Sequence, residues 1–337
     1  MDLKKKTIQK AIALVHAKTG LKIKQRDLGG AQQRDTILTL RREKTAVEYQ
    51  VVYRKDITNN QILGTTIHTL KSLKTKGIIV ANYINPTIAG RLQEMNIPFL
   101  DATGNAYINE PPIYIFIIGR KPQNTPMLRH AHPFHAAALK VIFPLLCRPE
   151  LITKTLRELA RCAGVALGTV VNVMEELRVR KHIVVTTDGA PHLVNLKALF
   201  QQWVILYPTV LRPKLFLGRY TAPNDGWWNQ APLPPDVLWG GEVAAEKLHH
   251  YLKAEIATIY THEAIAPLLI KNRLKEDLHG KIEILKTFWD KSFQLENRGV
   301  APALLVYTDL LATGDPRNIE AAELIYEREL AGHLDKN

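Results

Sequence analysis

Polar residues in the first 120 positions are of the types that bind a divalent metal ion and cut phosphodiester bonds. Asp35 precedes Glu48-Tyr49-Gln50, and Asp101 lies further along the chain. In one class of metal-dependent site an Asp and a following Glu hold Mg²⁺, and a Lys two residues after the Glu helps to activate water. Gln50 occupies that Lys position, and a shift of register puts Val52 where the carboxylate is needed. The sequence therefore predicts no catalytic residues, and Asp35, Glu48, Gln50 and Asp101 are interpreted as remnants of such a site.

A nuclease is nevertheless an alternative that this pattern leaves open. Gln replaces Lys in some sites of this kind, so Mg²⁺-dependent cleavage remains a competing hypothesis. Asp35 and Glu48 also fit charged residues at strand edges. The run from Asp101 to Asn105 fits a structural turn, because Gly104 and Asn105 tolerate positive φ. The favoured interpretation is a protein that is not an enzyme and uses no cofactor or metal.

The segment from Thr155 to Leu177 has the pattern of a helix-turn-helix. Thr155 and Glu158 are spaced as a capping box at the start of a short helix. Gly164 allows a tight turn, and Val165 is predicted to be an apolar plug between the two helices. The residues predicted to face inward are Leu156, Leu159 and Ala160 in the first helix and Val170, Val173, Met174 and Leu177 in the second. In this motif the second helix enters the major groove of DNA.

The outward-facing residues of these helices are the predicted DNA contacts. Asn172 can pair with N6 and N7 of adenine, Thr169 can reach a base or a phosphate, and Val171 can touch a thymine methyl group. Thr155 and the N–H groups of its helix can hold a phosphate. The complete predicted set is Thr155, Arg157, Leu167, Gly168, Thr169, Val171, Asn172, Arg178, Arg180 and Lys181.

The flanking segments are typical of a winged helix. A helix over 136–146 would complete a three-helix core. A strand over 181–185, a turn over 186–189 that contains Asp188-Gly189, and a strand over 191–194 would form the wing. Winged helices also serve as protein–protein modules, so a pure interaction module is a further alternative.

The first 120 residues indicate a mixed α/β segment. A Lys-rich helix with Ile8, Ile12 and Val15 on one face opens it. Strands over 37–40 and 47–53, a helix over 58–73 and a strand over 77–81 follow. Asn85-Pro86 begins a helix that ends near residues 94–96, and strands over 97–100 and 113–118 complete the segment. This order resembles the restriction-endonuclease-like fold, in which helices cover a central sheet.

The remaining segments are a linker and a third domain. Residues 121–126 form a polar linker with two prolines. The third segment has predicted helices over 241–252 and 318–330. Its Gly240-Gly241 pair fits a tight turn better than a phosphate cradle, and His249, His250 and His262 lack metal-ligand spacing. The predicted class is α/β (α+β), with a restriction-endonuclease-like domain over 1–121, a winged helix over 128–198 and an α/β domain for partner binding or dimerisation over 199–337.

The positive charge is concentrated in the first 200 residues. The whole chain has a formal net charge of +13. Residues 1–200 contain 30 Lys and Arg against 14 Asp and Glu, whereas residues 201–337 contain 15 against 18. Such a local excess is typical of nucleic-acid binders. Only about +5 of it belongs to residues 128–200. The first segment could therefore supply a nonspecific grip, through a predicted basic face of Lys4, Lys5, Lys6, Lys22, Lys24, Arg26, Arg34, Arg41, Arg42 and Lys44.

Composition excludes several other classes. The longest apolar runs are too short for a transmembrane helix, and the charged start is not followed by the apolar stretch of a secretory signal. Two cysteines, Cys147 and Cys162, cannot form a disulfide framework. A cytoplasmic, nucleoid-associated protein is expected.

Two stretches together with the helix-turn-helix resemble the AbiEi-type antitoxin and transcriptional-regulator family of type IV toxin–antitoxin systems. The first consists of residues 81–92 and 97–108, with the Asp101–Asn105 turn, and the second of residues 305–318. The resemblance implies a repressor that binds double-stranded operator DNA in its own operon. It also implies a nucleotidyltransferase-like toxin as the functional counterpart, and a homodimer is left open. No catalytic residue is carried over, because the nuclease-like pattern is incomplete.

Overall fold

The computed structural model describes residues 3–28, 35–42, 45–58, 60–120, 134–186, 189–230, 233–234, 236–262, 264–293 and 299–334. The chain divides into two compact units, Met1–His130 and Ala131–Asn337. The predicted linker over 121–126 lies outside the described residues. Both units combine helices with mixed sheets, which confirms the predicted α+β class.

The first unit is built on one seven-stranded sheet, whose strands lie side by side in chain order. Its elements are α1 (Leu3–Thr19), β1 (Lys22–Leu28), β2 (Asp35–Arg42), β3 (Thr45–Ile57), α2 (Asn60–Lys71), β4 (Gly77–Ile84), α3 (Pro86–Glu94), β5 (Phe99–Asp101), β6 (Ala106–Glu110) and β7 (Ile113–Ile117). β3, β4 and β5 are parallel and all other neighbouring pairs are antiparallel. The two parallel pairs arise because α2 and α3 cross over between their strands.

The two faces of this sheet have different cover. α1 places Ile8, Ala11 and Val15 against one face, where they share a core with Leu38 and Leu40 of β2. On the other face, the Arg54 guanidinium donates to the Thr66 and Thr69 hydroxyls of α2 (3.1 and 2.8 Å). Burial lowers the pKa of Arg54 to about 10. On that face α2 contacts β3 and β4, and β1 and β2 lie beyond these strands in the sheet.

One strand of the first unit, β1, was not expected from the sequence. β1 carries Lys22, Lys24 and Arg26 on one face, so only part of it has the apolar alternation of a strand. β6 follows directly after the Thr103–Asn105 turn and pairs with β7. The other predicted elements are present, and the Asn85 cap is confirmed because its side chain accepts a hydrogen bond from the Ile88 N–H (2.8 Å).

The second unit begins with helices and continues with a five-stranded sheet. Its helices and wing strands are α4 (Ala136–Cys147), α5 (Leu156–Ala163), α6 (Leu167–Val179), β8 (Ile183–Val185), β9 (Pro191–Leu193), α7 (Leu196–Leu206) and α8 (Arg212–Leu215). The elements that follow are β10 (Phe216–Thr221), β11 (Val237–Gly240), α9 (Gly241–His249), β12 (Ala257–Thr261), α10 (Ile265–Asn272), β13 (Lys275–Glu276), β14 (Ile282–Lys286), α11 (Ala303–Thr313), α12 (Pro316–Ile325) and α13 (Ala331–Leu334). The sheet order is β11-β12-β14-β10-β13.

The helical part of this unit shares an aromatic core with the segment that follows β14. The Phe143 ring of α4 lies 4.9 Å from the Phe288 ring and 5.5 Å from the Trp289 ring, centroid to centroid. The Trp203 indole of α7 donates to the Leu139 carbonyl of α4 (2.8 Å). α7 itself runs across the predicted domain boundary at residue 198. The helices therefore pack against the segment that directly follows the sheet strand β14.

A buried polar network crosses the interior of the same unit. Arg212 donates to Asp309 (3.0 Å) and Glu283 (2.6 Å), and Tyr260 donates to Asp309 (2.8 Å). Burial would raise the pKa of Glu283, but Arg212 and Arg219 hold it below its ordinary value. Burial raises the pKa of Asp309, and Arg212 only partly offsets this. Since every charge has an opposite partner, the network can stay buried.

The Gly240-Gly241 pair is a tight turn that packing requires. A Cβ on Gly240 would lie 2.6 Å from the Tyr260 ring, and one on Gly241 would lie 2.8 Å from the Thr258 hydroxyl. Gly241 also has a φ of +49°. The Glu242 carboxylate that follows is buried and accepts the Glu255 N–H (2.7 Å). Both glycines are thus explained by close contacts with β12, made by the last residue of β11 and the first residue of α9.

Candidate nucleic-acid interface

The turn between α5 and α6 has the geometry that the sequence predicted. The Thr155 hydroxyl accepts a hydrogen bond from the Glu158 N–H (3.2 Å) and caps α5. Gly164 ends the helix in the left-handed region, with φ +60° and ψ +40°. α6 begins three residues later at Leu167. The two helices are therefore joined by a short turn that glycine makes possible.

The inward faces of α5 and α6 are largely as predicted. Val170, Val173, Met174 and Leu177 of α6 and Leu159 and Ala160 of α5 are all buried. Two residues differ from prediction: Leu156 is 38% exposed, because it lies in the first turn of α5, and Val165 is only half-buried. α4 contacts both helices and completes the three-helix core. It spans Ala136–Cys147, close to the predicted helix over 136–146.

The N-terminal half of α6 presents a nearly uncharged face to solvent. Leu167, Gly168, Val171 and Asn172 are exposed, whereas Thr169 is half-buried. A Cβ on Gly168 would have no neighbour within 4 Å, so the fold does not require glycine here. A bare backbone at this point allows another molecule to come close to the helix.

The predicted phosphate contacts divide into two groups. Thr155 and Arg157 are exposed at the start of α5, and the Thr155 hydroxyl keeps its proton for a second partner because it accepts in the cap. At the C-terminal end of α6, Arg178 pairs with Glu175 (3.4 Å) and Arg180 pairs with Glu176 (2.8 Å). The two arginines are thus already engaged within the helix.

The end of α6 is held in a defined conformation. The Arg180 guanidinium lies 5.0 Å from the centroid of the Phe134 ring. Lys181 has a φ of +60°, and the His182 N–H donates to the Leu177 carbonyl (2.8 Å). This is the left-handed helix end at which glycine is usual. Lys181 is exposed there, between the helix and the wing.

The wing is a short hairpin. β8 and β9 pair from Ile183 opposite Leu193 to Val185 opposite Pro191. The Thr186 N–H donates to the Ala190 carbonyl (3.0 Å), and Gly189 has a φ of +82°. Asp188, predicted in this turn, lies outside the described residues. The described hairpin follows α6 in the order that a winged helix requires.

Two features of this region were not predicted. Glu175 is exposed four residues after Val171, so the outward face of α6 ends in an acidic side chain. The turn also contacts the segment after β14. The Asp290 N–H donates to the Cys162 carbonyl (3.2 Å), and a Cβ on Gly164 would lie 2.4 Å from the Phe288 carbonyl oxygen. A glycine at a helix end can be recognised in the sequence, but its contact with Phe288 cannot, because Phe288 is 124 residues further along the chain.

The carboxylates considered for metal binding are far apart. β3, β4 and β5 are in register at Arg54, Ala81 and Asp101, and Glu48 lies six residues earlier on β3 than Arg54. At about 3.3 Å per residue and 4.8 Å per strand, roughly 20 Å separates the Glu48 and Asp101 backbones. Asp35 begins β2 opposite Leu28, but its side chain is not among those described.

The individual surroundings of these residues are structural. Glu48 is exposed and accepts the Thr39 hydroxyl (3.2 Å), and Gln50 accepts the Thr75 hydroxyl (2.9 Å). Asp101 is fully buried, and its carboxylate accepts hydrogen bonds from the N–H groups of residues 84, 103 and 105 at 2.9–3.0 Å. Gly104 takes a positive φ of +91°, as the turn interpretation expects.

Within the described ranges, no group of three or more His, Cys, Asp and Glu side chains is arranged to hold a metal ion. His262 Nδ1 lies 2.7 Å from the Thr287 hydroxyl, and His249 lies beside Glu329 (3.6 Å). The helices that the structure describes also include none with the length and apolar character of a membrane span.

The fold and this surface define a class of helix-turn-helix protein with a C-terminal α/β region. Residues 192–331 match the family of AbiEi antitoxin transcriptional regulators of type IV toxin–antitoxin systems. The match begins in the wing and covers the C-terminal sheet, so the resemblance predicted from residues 305–318 is confirmed there. Searches of the curated proteins and of the solved structures found no match.

Proposed function

We propose that this chain is an antitoxin-type repressor that binds an operator in its own operon through α6. The observation that carries the proposal is the outward face of α6, where Leu167, Gly168, Val171 and Asn172 are exposed beside a glycine with open space around it. The match of residues 192–331 to antitoxin transcriptional regulators supports the same function. The three-domain division at residues 121 and 198 is part of this proposal.

The composition of α6 favours an A·T-rich operator. Leu167 and Val171 offer apolar contacts to thymine methyl groups, and the Asn172 amide suits adenine N6 and N7. Residues 167–177 contain no Lys or Arg, the side chains that most often read guanine. Glu175 could accept a hydrogen bond from cytosine N4 at the edge of the contact. Thr155, Arg157 and Lys181 would position the helix through phosphates.

Arg178 and Arg180 have a different expected role from Lys181. Each is paired with a glutamate of α6, and Arg180 also stacks on Phe134. A phosphate would have to compete with these partners. We therefore expect both arginines to orient the end of the helix, and Lys181 to supply the stronger phosphate contact.

A non-enzymatic function is supported by the positions of the carboxylates. Glu48 and Asp101 are too far apart to bind one metal ion, and the Asp101 carboxylate is occupied by backbone N–H groups. In the proposed function, double-stranded operator DNA is one partner. A nucleotidyltransferase-like toxin is the functional counterpart, and the neutral to acidic region after residue 200 is the surface for protein contacts, including a homodimer.

One binding experiment tests the repressor and the nuclease together. The protein is mixed with its upstream DNA in an electrophoretic shift assay, with and without Mg²⁺, and the DNA is then examined for cleavage. Retarded and uncut DNA in both conditions is the expected result. Cleavage that needs Mg²⁺ and is lost in Glu48→Ala would overturn it in favour of the nuclease.

The recognition helix is tested by matched alanine variants. Asn172→Ala and Thr169→Ala are each expected to weaken operator binding by about 1–3 kcal/mol, while binding to scrambled DNA is retained. Gln201→Ala, an exposed amide on α7 of the same unit, is the control and should bind as the wild type. Unchanged operator affinity in both α6 variants would refute the assignment of α6.

A further inference from the structure

The first unit has a largely exposed sheet face with an excess of positive charge. It consists of nine positions in three rows of strand register on the side opposite α1, here called the basic sheet face: Lys22, Arg41 and Ala46; Lys24, Thr39 and Glu48; Arg26, Ile37 and Gln50. α1 occupies the other side, because Leu38, Leu40 and Tyr49 alternate with these positions and share its core.

Four cations and one anion occupy this face. Lys22, Lys24, Arg26 and Arg41 are exposed, whereas Ile37 of the same face is buried. Glu48 is the acid within the nine positions, and it lies 3.8 Å from Arg26 while its carboxylate accepts the Thr39 hydroxyl. Successive cations on β1 are two residues apart, which is a step of roughly 7 Å along the strand. The face is therefore a row of regularly spaced cations with a net positive charge.

The structure also divides the basic face that the sequence predicted. Lys4, Lys5 and Lys6 lie on α1, on the other side of the sheet from Lys22 and Lys24. Arg42 alternates with Arg41 and so belongs to the α1 side, and Arg34 and Lys44 lie outside the described residues. The predicted cations that the structure describes are thus distributed over two surfaces, the sheet face opposite α1 and the side of α1 itself.

Protection of a sheet edge does not account for this arrangement. Lysines on an edge strand such as β1 discourage pairing with another chain. That explanation covers Lys22 and Lys24, but Arg41 lies on β2, which is paired on both sides. Side chains on a sheet face point away from the plane of strand pairing. The cations are placed to meet a partner that lies across the face.

We infer that the basic sheet face binds the phosphate backbone of duplex DNA without reading its sequence. None of the nine positions is aromatic, so the face lacks the stacking surfaces with which proteins hold single-stranded nucleic acid. Lys and Arg that contact phosphates add affinity and carry no base information. This inference rests on the proposed function, and it gives the chain a second DNA contact besides α6.

Two surfaces on one chain change how the protein finds its operator. Once α6 or the basic sheet face is bound, the other surface is confined near the same DNA and its effective concentration rises. The sheet face would supply salt-sensitive affinity for any duplex, and α6 would supply the choice of sequence. The larger basic excess of the first segment is consistent with this division.

The test compares two triple variants with equal loss of charge. Lys22→Gln/Lys24→Gln/Arg41→Gln removes three cations of the basic sheet face, and Lys5→Gln/Lys6→Gln/Lys10→Gln removes three exposed cations of α1. Binding of the full chain to operator duplex and to scrambled duplex is measured by fluorescence anisotropy over a range of salt concentrations. Circular dichroism checks that both variants are folded.

The expected result is a change in salt dependence. Each lost phosphate contact lowers the slope of log K against log salt by about 0.9, so the sheet-face variant should lose about 2–3 in slope on both duplexes. Its ratio of operator to scrambled affinity should stay the same, and the α1 variant should have a nearly wild-type slope. Equal slopes in the two variants would overturn the inference.

Other outcomes separate this inference from the proposed function. If the wild type does not distinguish operator from scrambled duplex, the proposed operator binding fails, but a slope change in the sheet-face variant still supports the phosphate site. If the wild type selects the operator and the sheet-face variant is unchanged, only the inference fails. A single-stranded RNA probe that binds more tightly than duplex and is lost in the same variant would contradict the choice of DNA.

Discussion

The contact between the helix-turn-helix and the segment after β14 makes Gly164 a sensitive position. Gly164→Ala introduces a Cβ at a residue with φ +60°. That Cβ would lie 2.4 Å from the Phe288 carbonyl oxygen, well inside the distance that two atoms can share. The substitution therefore combines a strained backbone with a collision against main chain that belongs to another part of the fold.

The expected cost has two components. A non-glycine residue in the left-handed region costs about 1–2 kcal/mol. Forcing an extra carbon into a packed site typically costs about 1–3 kcal/mol. Gly189→Ala is the matched control, because it has φ +82° and no neighbour within 4 Å of its Cβ. Gly164→Ala should thus lower the free energy of unfolding by about 2–5 kcal/mol, and Gly189→Ala by only the first component.

Tryptophan fluorescence during urea unfolding isolates the relevant unit. All five tryptophans, at positions 203, 227, 228, 239 and 289, belong to the second unit. Trp289 directly follows Phe288 and reports on the contact itself. If the two variants have the same midpoint and slope, the turn is not seated against the Phe288 carbonyl, and the predicted collision is refuted.

Three other substitutions test separate features. Gly168→Ala should leave the free energy of unfolding in urea unchanged or raise it by up to about 1 kcal/mol, because the new Cβ meets open space in the fold. The same Cβ would face DNA, so operator binding should weaken. Unchanged binding would mean that DNA does not approach the helix at this residue. Lys181→Gly should stabilise the second unit by about 1 kcal/mol by relieving a positive φ and should weaken DNA binding, and a destabilised variant would contradict the strain. Glu283 has a lowered pKa, so its stabilisation is present above its unfolded pKa of about 4.3 and is lost as pH falls. Glu283→Gln should therefore be less stable at pH 7 and lose less stability between pH 5 and pH 3, and an acid profile that matches the wild type would refute the role of its pairing with Arg212.

Local signals were sufficient for the helix-turn-helix. The Thr155 cap, the Gly164 turn and the apolar spacing of Val170, Val173 and Leu177 each depend on neighbours within a few residues, and all three agree with the structure. Leu156 and Val165 were the exceptions: Leu156 has the spacing of the inner face, yet it is 38% exposed in the first turn of α5, and the predicted plug Val165 is only half-buried. Helical periodicity specifies which face of the helix a side chain lies on, and only tertiary packing decides whether that side chain is buried.

The nuclease-like pattern shows the opposite limit. The spacing of Asp35, Glu48 and Gln50 could not establish whether their side chains meet Asp101. That depends on strand register across β3, β4 and β5, which places Glu48 and Asp101 roughly 20 Å apart. The hydrogen bonds that fill the Asp101 carboxylate come from residues on both sides of it in sequence, 84 and 105, so no local pattern displays them together.

Residue types and short-range spacing thus established the α+β class, the helix-turn-helix and the uneven charge of this chain. Tertiary structure decided which charges share a surface: Lys22 and Lys24 meet Arg41 on one sheet face, while Lys5 and Lys6 lie on the other side with α1. It also decided that the turn at Gly164 rests on Phe288. The physical reason is that periodicity and capping act within a few residues, whereas register, sheet cover and close backbone contact join segments that are distant in the chain.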